Sequence, residues 1–263
     1  MKRIYNKTVK ELIREFIDVY KISEDSDLLG LRHDLKNGGY FTRKEILSWF
    51  QQNYPQIKKG TINAHLILLS MNASSRRHYN VHSNGEDDLL FQENSSNFRL
   101  YQKGVDPVPI YKDSNENSEN DSESPEIDFN EENNQEFAYE KDLQNFLSKN
   151  LELIEPGLSL FVDGDINGIE YPVGGRYIDL LALDKNGNYV VIELKVSKGY
   201  DRVIGQLLRY MAWIEQNQAE KDQIVRGMII CKKVSGDLKL ACSKIQDVSL
   251  FEYELSISLR PIQ

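Results

Sequence analysis

Asp179, Glu193 and Lys195 interrupt two short apolar runs joined by a turn between Arg176 and Lys195, a stretch that reads R-Y-I-D-L-L-A-L-D-K-N-G-N-Y-V-V-I-E-L-K. Asp179 lies in the first of two β-rich runs; Glu193 and Lys195 lie in the second. Asn186-Gly187 between such runs predicts a hairpin. Strand side chains alternate faces, so Glu193 and Lys195 share one face while Ile192 and Leu194 take the other. The face of Asp179 depends on the turn. A two-residue loop at Asn186-Gly187 sets it opposite Leu194. A three-residue loop, Lys185-Asn186-Gly187 with a left-handed glycine, sets Asp184 opposite Asn188 and Asp179 opposite Glu193. Carboxylates on directly opposed residues, with Cβ atoms about 4.5–5.5 Å apart, repel unless a cation lies between them or one holds a proton. The three-residue loop and a divalent metal are the expected arrangement.

An acid at the end of one strand followed by acid-x-Lys on the next resembles the PD-(D/E)xK nuclease superfamily. Ile178 stands where that signature often has proline. Glu140-x-x-Leu-x-x-Phe-Leu-x-x-Asn150, R-Y-I-D-L-L-A, V-V-I-E-L-K and Gly205-Gln206-Leu-Leu-Arg-Tyr210 together look like the catalytic domain of NucS/EndoMS-type endonucleases. The resemblance runs from near Phe137 to near Ala241. It implies that Glu140, Asp179, Glu193, Lys195 and Gln206 form a phosphodiester-cleaving site.

A chain of 263 residues accommodates two cores. Its net charge of −9 is unevenly spread: residues 1–112 carry +4, residues 113–136 carry −10 and residues 137–263 carry −3. Most of the acidity is therefore one segment, and the global charge does not exclude nucleic acid. Cys231 and Cys242 fit buried thiols in a reducing cytoplasm. No apolar run has signal-peptide or membrane-spanning form, so a soluble cytoplasmic protein is expected.

Residues 1–112 are expected to form a winged helix-turn-helix domain. Val9, Leu12, Ile13, Phe16, Ile17 and Tyr20 predict a helix near 7–21. Residues 22–39 are polar and irregular. Thr42-Arg-Lys-Glu45 is a capping box opening a second helix that buries Ile46, Leu47 and Phe50 and stops before Pro55. A third helix runs from Gly60-Thr61 through Met71, with Ile62, Leu66 and Leu69 inward. After the basic loop Ser74–His78, the runs Asp88–Gln92 and Phe98–Gln102 predict a hairpin. In a winged helix the third helix enters the major groove and the hairpin touches backbone. Lys58, Lys59, Asn63, Arg76 and Arg77 are the residues this reading aims at double-stranded DNA, cations at phosphates and Asn63 at a base edge. His78 and His82, four apart, lack a third ligand at metal spacing.

Residues 113–136 are polar and acidic, a disordered tether expected to let the two domains orient independently. Residues 137–263 read as an α/β domain, a mixed sheet flanked by helices in the restriction-endonuclease-like manner. A helix near 137–150 has the stripe Leu143, Phe146, Leu147 and Leu151, which Glu140 extends with an acid. Leu158–Val162 and Gly168–Tyr171 predict a hairpin. Asp163-x-Asp165-x-Asn167 is followed by Gly168 but lacks the distal glutamate of a calcium loop, and reads as a turn. A helix at 200–216 presents Val203, Ile204, Leu207, Leu208 and Met211 inward, with Gln206, Tyr210 and Trp213 as the neighbouring stripe. Val225–Cys231 reads as a strand, Asp237–Ser243 as a short helix and Val248–Leu259 as a last strand.

Cleaving a phosphodiester places negative charge on phosphorane and leaving oxygens. Asp179, Glu193 and the Leu194 carbonyl are expected to hold Mg²⁺, with Mn²⁺ able to substitute, leaving positions for water and phosphate. Lys195 is expected to steady the attacking water or the transition state. Glu140 holds a metal-bound water or second ion, and Gln206 positions water or phosphate. The leading reading is a metal-dependent endonuclease that restricts foreign DNA, as a homodimer because two strands need two sites. A repair nuclease acting on mismatched or branched DNA and a non-catalytic DNA-binding regulator are the alternatives.

Overall fold

The computed structural model describes residues 5–22, 39–112, 131–195 and 200–254. The irregular stretch at 23–38, most of the acidic segment (113–130) and the far end of the last strand (255–259) lie outside the described residues. In the N-terminal half, the helical spacing of Leu12, Ile13, Phe16 and Ile17 forms the buried face of α1 (Val9–Ile22). β1 (Tyr40–Thr42) runs directly into α2 (Arg43–Asn53) through the capping box. Thr42 Oγ1 accepts from the Glu45 amide at 3.2 Å, and Glu45 Oε2 accepts from the Thr42 amide at 2.6 Å. Such a cap satisfies two otherwise orphaned donors and contributes about 1 kcal/mol. α3 (Lys59–Leu69) is followed by a 3₁₀ turn at Ser74–His78 and the antiparallel pair β2 (Leu90–Gln92) and β3 (Asn97–Leu100). β1 adds to β3, giving the order β1-β3-β2. Three residues carry too short an alternation to announce β1 in the sequence.

In the C-terminal half, α4 (Glu131–Lys149) leads through a 3₁₀ turn at Leu151–Leu153 to β4 (Ser159–Leu160). β5 (Val162–Asp163) pairs only with β6 (Ile166–Asn167). β7 (Ile169–Val173), β8 (Arg176–Leu183) and β9 (Tyr189–Lys195) build the centre of the sheet. α5 (Tyr200–Asn217), β10 (Val225–Cys231), α6 (Gly236–Cys242) and β11 (Val248–Glu252) complete it. The strand order is β11-β10-β9-β8-β4, with β7 also on β8; β9, β10 and β11 are parallel and the rest antiparallel. The domain is thus an α/β mixed sheet flanked by helices. Leu180, Ala182, Val190, Ile192 and Leu194 pack with Leu143 and Leu147 of α4. Leu181, Val191 and Ile229 pack with Val203, Leu207, Tyr210 and Ile214 of α5.

Several expectations need correction. The hairpin expected across 158–171 is only the short β5–β6 ladder, because β4 and β7 both take the edge of β8. That pairing buries Leu158, Phe161, Tyr171 and Val173, which a free two-stranded ribbon would leave in water. Phe146 is 51% exposed: the inward face of α4 is Leu143, Gln144 and Leu147, and Phe146 lies off it. Leu208 of α5 is also exposed.

The largest departure concerns α3. Ile62, Asn63, Ala64, Leu66, Ile67, Leu68 and Leu69 are all buried, because α3 is packed on one side by α1 and α2 and on another by the C-terminal half. A helix enclosed in this way has no open face for a DNA groove. The two halves share one core, in which Phe16, Phe41 and Leu66 belong with Phe161, Tyr171 and Leu207. Lys58 Nζ donates to the Gln218 carbonyl at 2.6 Å, the Asn80 amide to the Asp165 carbonyl at 2.9 Å, and Lys10 pairs with Asp165 at 2.9 Å. Gly60 permits the approach: a Cβ there would lie 2.0 Å from Gln218 Oε1. Domains that orient independently are therefore not the arrangement found.

Candidate active site

The β8–β9 turn decides the site. Gly187 is left-handed (φ 80), as a three-residue loop requires. The Asp184 amide donates to the Asn188 carbonyl at 2.9 Å, and Asp184 Oδ1 accepts from the amides of Asn186 and Asn188, both at 2.9 Å. These bonds hold the register Leu183↔Tyr189 through Leu180↔Ile192, whose next step sets Asp179 opposite Glu193. Both acids then meet Lys195. Its Nζ lies 3.9 Å from Asp179 Oδ2, 3.8 Å from Glu193 Oε2 and 3.6 Å from Glu140 Oε1, the last delivered by α4.

Each acid is further oriented. Asp179 Oδ2 accepts from the Leu194 amide at 2.7 Å, and the Asp179 carbonyl accepts from Gln144 Nε2 at 2.9 Å. Gln206 Nε2 donates to Glu193 Oε2 at 2.8 Å and lies 3.3 Å from the Tyr210 hydroxyl. The five residues predicted for the chemistry, Glu140, Asp179, Glu193, Lys195 and Gln206, are brought together. Gln144 and Tyr210 join them. Gln144 lies one turn beyond Glu140 on the same helix, so a second polar residue at that spacing was the available signal. Tyr210 stands one turn beyond Gln206 in the same way.

Burial raises the Asp179 carboxyl above the ordinary range, against the opposing pull of Lys195 and the Leu194 amide. Burial lifts Glu193 well above it, and the charge of Asp179 adds to the effect. Burial alone would lower the Lys195 ammonium, yet the charges of Asp179, Glu140 and Glu193 outweigh it and raise its pKa. Glu193 Oε1 is buried with no hydrogen-bond partner. A carboxylate oxygen in that condition beside a second acid wants a proton or a cation. Among the described residues no group of three His, Cys, Asp or Glu side chains is gathered closely enough to hold an ion by itself. The opposed Asp179 and Glu193 carboxylates have the chemistry of a Mg²⁺ site, which takes one or two carboxylates and leaves its other positions to water and phosphate oxygens. The Leu194 carbonyl, expected as a ligand, accepts from Lys195 Nζ at 2.7 Å.

The residues expected to face DNA fare differently. Arg76 is fully buried: its Nε donates to the Leu68 carbonyl at 2.8 Å, it pairs with Asp88, and it stacks on Tyr111. Asn63 is buried, accepting from Arg43 and donating to the Lys59 carbonyl at 2.8 Å, so it reads no base. Lys58 is engaged with Gln218 and with Glu220 at 2.6 Å in the C-terminal half. A basic tripeptide or loop looks alike in sequence whether its side chains point out or in. Lys59 is exposed, and Arg77 is half-buried with its Nε donating to the Ser74 carbonyl at 2.9 Å.

A helix-flanked mixed sheet carrying acid, then acid-x-Lys, on a central hairpin defines the PD-(D/E)xK class of nuclease fold. Residues 139–247 match the family model described as Endonuclease NucS C-terminal domain, and this half of the chain is a NucS-like endonuclease C-terminal domain. Residues 30–100 match a second model, Domain of unknown function (DUF7669). Endonuclease NucS of Pyrococcus abyssi is 28% identical over 105 residues, 40% of this chain and 38% of that protein. Endonuclease NucS of Pyrococcus horikoshii is 34% identical over 67 residues, 26% of this chain and 25% of that protein. The matched region spans less than two fifths of the length of either relative. A crystal structure of a repair endonuclease from Pyrococcus abyssi overlays with a TM-score of 0.37 at 25% identity, covering 49% of this chain and 50% of that one.

Proposed function

We propose that this chain is a metal-dependent DNA endonuclease of the repair type, acting on mismatched or branched duplexes. The observation that carries the reading is Lys195 Nζ within 3.9 Å of carboxylates from three elements, two of them opposed across a hairpin. A structural ion pair needs one acid for one base; here three acids surround a single ammonium, leaving an excess of negative charge. Mg²⁺ bound there would supply the missing charge and Lewis acidity toward a phosphate oxygen. Asp179 and Glu193 are the side chains that would hold it. Lys195, its proton secured by the surrounding acids, offsets charge that builds on the phosphorus oxygens. Gln206 and Tyr210 fix the Glu193 carboxylate, and the Leu194 amide fixes that of Asp179, so the site does not reorganise as charge develops.

The repair reading is preferred over restriction because restriction called for a helix that reads sequence, and α3 is enclosed. The NucS likeness of the catalytic half supports the same choice. The N-terminal half runs helix, strand, helix, helix, hairpin, and Lys59 and Arg77 are its candidates for phosphate contact. Two strands cut together require two centres, hence a pair of copies. The test is cleavage of labelled duplexes in Mg²⁺ that are fully matched, mismatched, branched or methylated. Preferential cutting of mismatched or branched duplex supports the proposal. Equal cutting of a matched sequence, or cutting only of methylated duplex, overturns the repair reading.

A further inference from the structure

Glu170 is one of two non-glycine residues with positive φ among the described residues, at 46°. It lies in the interior of β7, a strand in which left-handed backbone is out of place. The β7–β8 register runs Ile169↔Leu180 and Tyr171↔Ile178, with the step between them missing from the ladder. That step faces Glu170 with Asp179. A third acid thus stands beside the pair on the hairpin, on strained backbone. It is held from the N-terminal half: His78 Nε2 lies 3.6 Å from Glu170 Oε1. The 3₁₀ turn carrying His78 is itself fixed to the C-terminal half, since the His78 carbonyl accepts from Asn167 Nδ2. Burial opposes ionisation of Glu170, but His78, Arg77 and Lys141 prevail and hold its carboxyl below the ordinary range.

We propose that Glu170, anchored by His78, is a positioning residue for Asp179. A fixed negative charge on the β7 side of Asp179 drives that carboxylate toward β9, where the Leu194 amide receives it at 2.7 Å. Without the histidine the Glu170 carboxylate keeps only the pull of Arg77 and Lys141, and its position against Asp179 is no longer fixed. The N-terminal half then acts on the catalytic centre by bracing one acid, in addition to any contact it makes with a substrate. The inference takes its consequence for catalysis from the nuclease reading, but its geometry stands apart from it.

The test is amide hydrogen exchange in the full chain without metal or DNA, followed by NMR at Leu194 with Val190 and Ile192 as references. H78A and E170Q each speed Leu194 exchange about tenfold, leaving the references unchanged, while E170D restores protection. Unchanged Leu194 exchange in E170Q, or equal acceleration in E170D and E170Q, overturns the proposal. If H78A loosens the whole sheet, the references report it and the E170D–E170Q pair decides. Cleavage is followed in parallel: H78A and E170Q lower kcat with an unchanged KM for DNA. A wild-type chain that cuts no DNA overturns the nuclease reading, and Leu194 exchange still decides this one.

Discussion

Glu193 sits fully buried opposite Asp179, one carboxylate oxygen held by Gln206 and the other without a partner. The fold thereby keeps a group whose charged form it disfavours, burial first and Asp179 second. The consequence for stability has a definite sign. A carboxyl whose folded pKa exceeds its unfolded value of about 4.3 binds more proton in the native state. The metal-free protein therefore loses stability as pH rises from about 4.3 through the folded pKa, and the loss persists at neutral pH. E193Q removes it. Thermal melts without metal should show E193Q more stable than wild type at pH 7, the difference closing toward pH 4; Mg²⁺ should raise the wild-type midpoint and not that of E193Q. The acids and Lys195 were legible because polar residues interrupted apolar runs at strand spacing. Arg76 and Asn63 were not, because a cation in a loop and an amide on a helix carry no mark of burial. Arg76 now reads as structural, and leaving Asp88 without it should cost about 3–5 kcal/mol.

At the scale of elements, the β8–β9 hairpin converts turn chemistry into catalytic geometry. The loop was readable from Lys185-Asn186-Gly187, and the register follows from it because strand periodicity is two. Deleting Leu183 would keep the three-residue loop and set Asp179 opposite Ile192 instead of Glu193. Such a variant should keep a folded sheet by circular dichroism and lose all cleavage; retained cleavage would mean the register does not set the site. α3 was misread for an equally physical reason. Ile67-Leu68-Leu69 makes its second half apolar on every side, the mark of an enclosed helix. Counting only one stripe turned that into a surface helix. β4 and β7 were unreadable as partners of β8, since strand order depends on contacts far apart in sequence.

At the scale of the molecule, composition suggested two bodies on an acidic tether, whereas the described halves share a core and a polar seam. Nothing local in either half encodes that docking. It depends on Gly60 meeting Gln218, on Lys58 reaching Glu220 and on the Ser74–His78 turn seating against β7. Calorimetry should therefore show one unfolding transition, and G60A should lower that transition by several degrees without splitting it; two separate transitions would mean the halves are independent. No helix among the described residues is long and apolar enough to cross a membrane. The account rests above all on Asp179 and Lys195 as parts of one cutting centre. Its most direct measurement is cleavage of a mismatched duplex in Mg²⁺ by wild type, D179A and K195A, with DNA binding measured alongside. Wild type should cut, and both variants should bind as tightly and cut at least about a thousandfold more slowly; cutting by either variant at the wild-type rate would contradict the account.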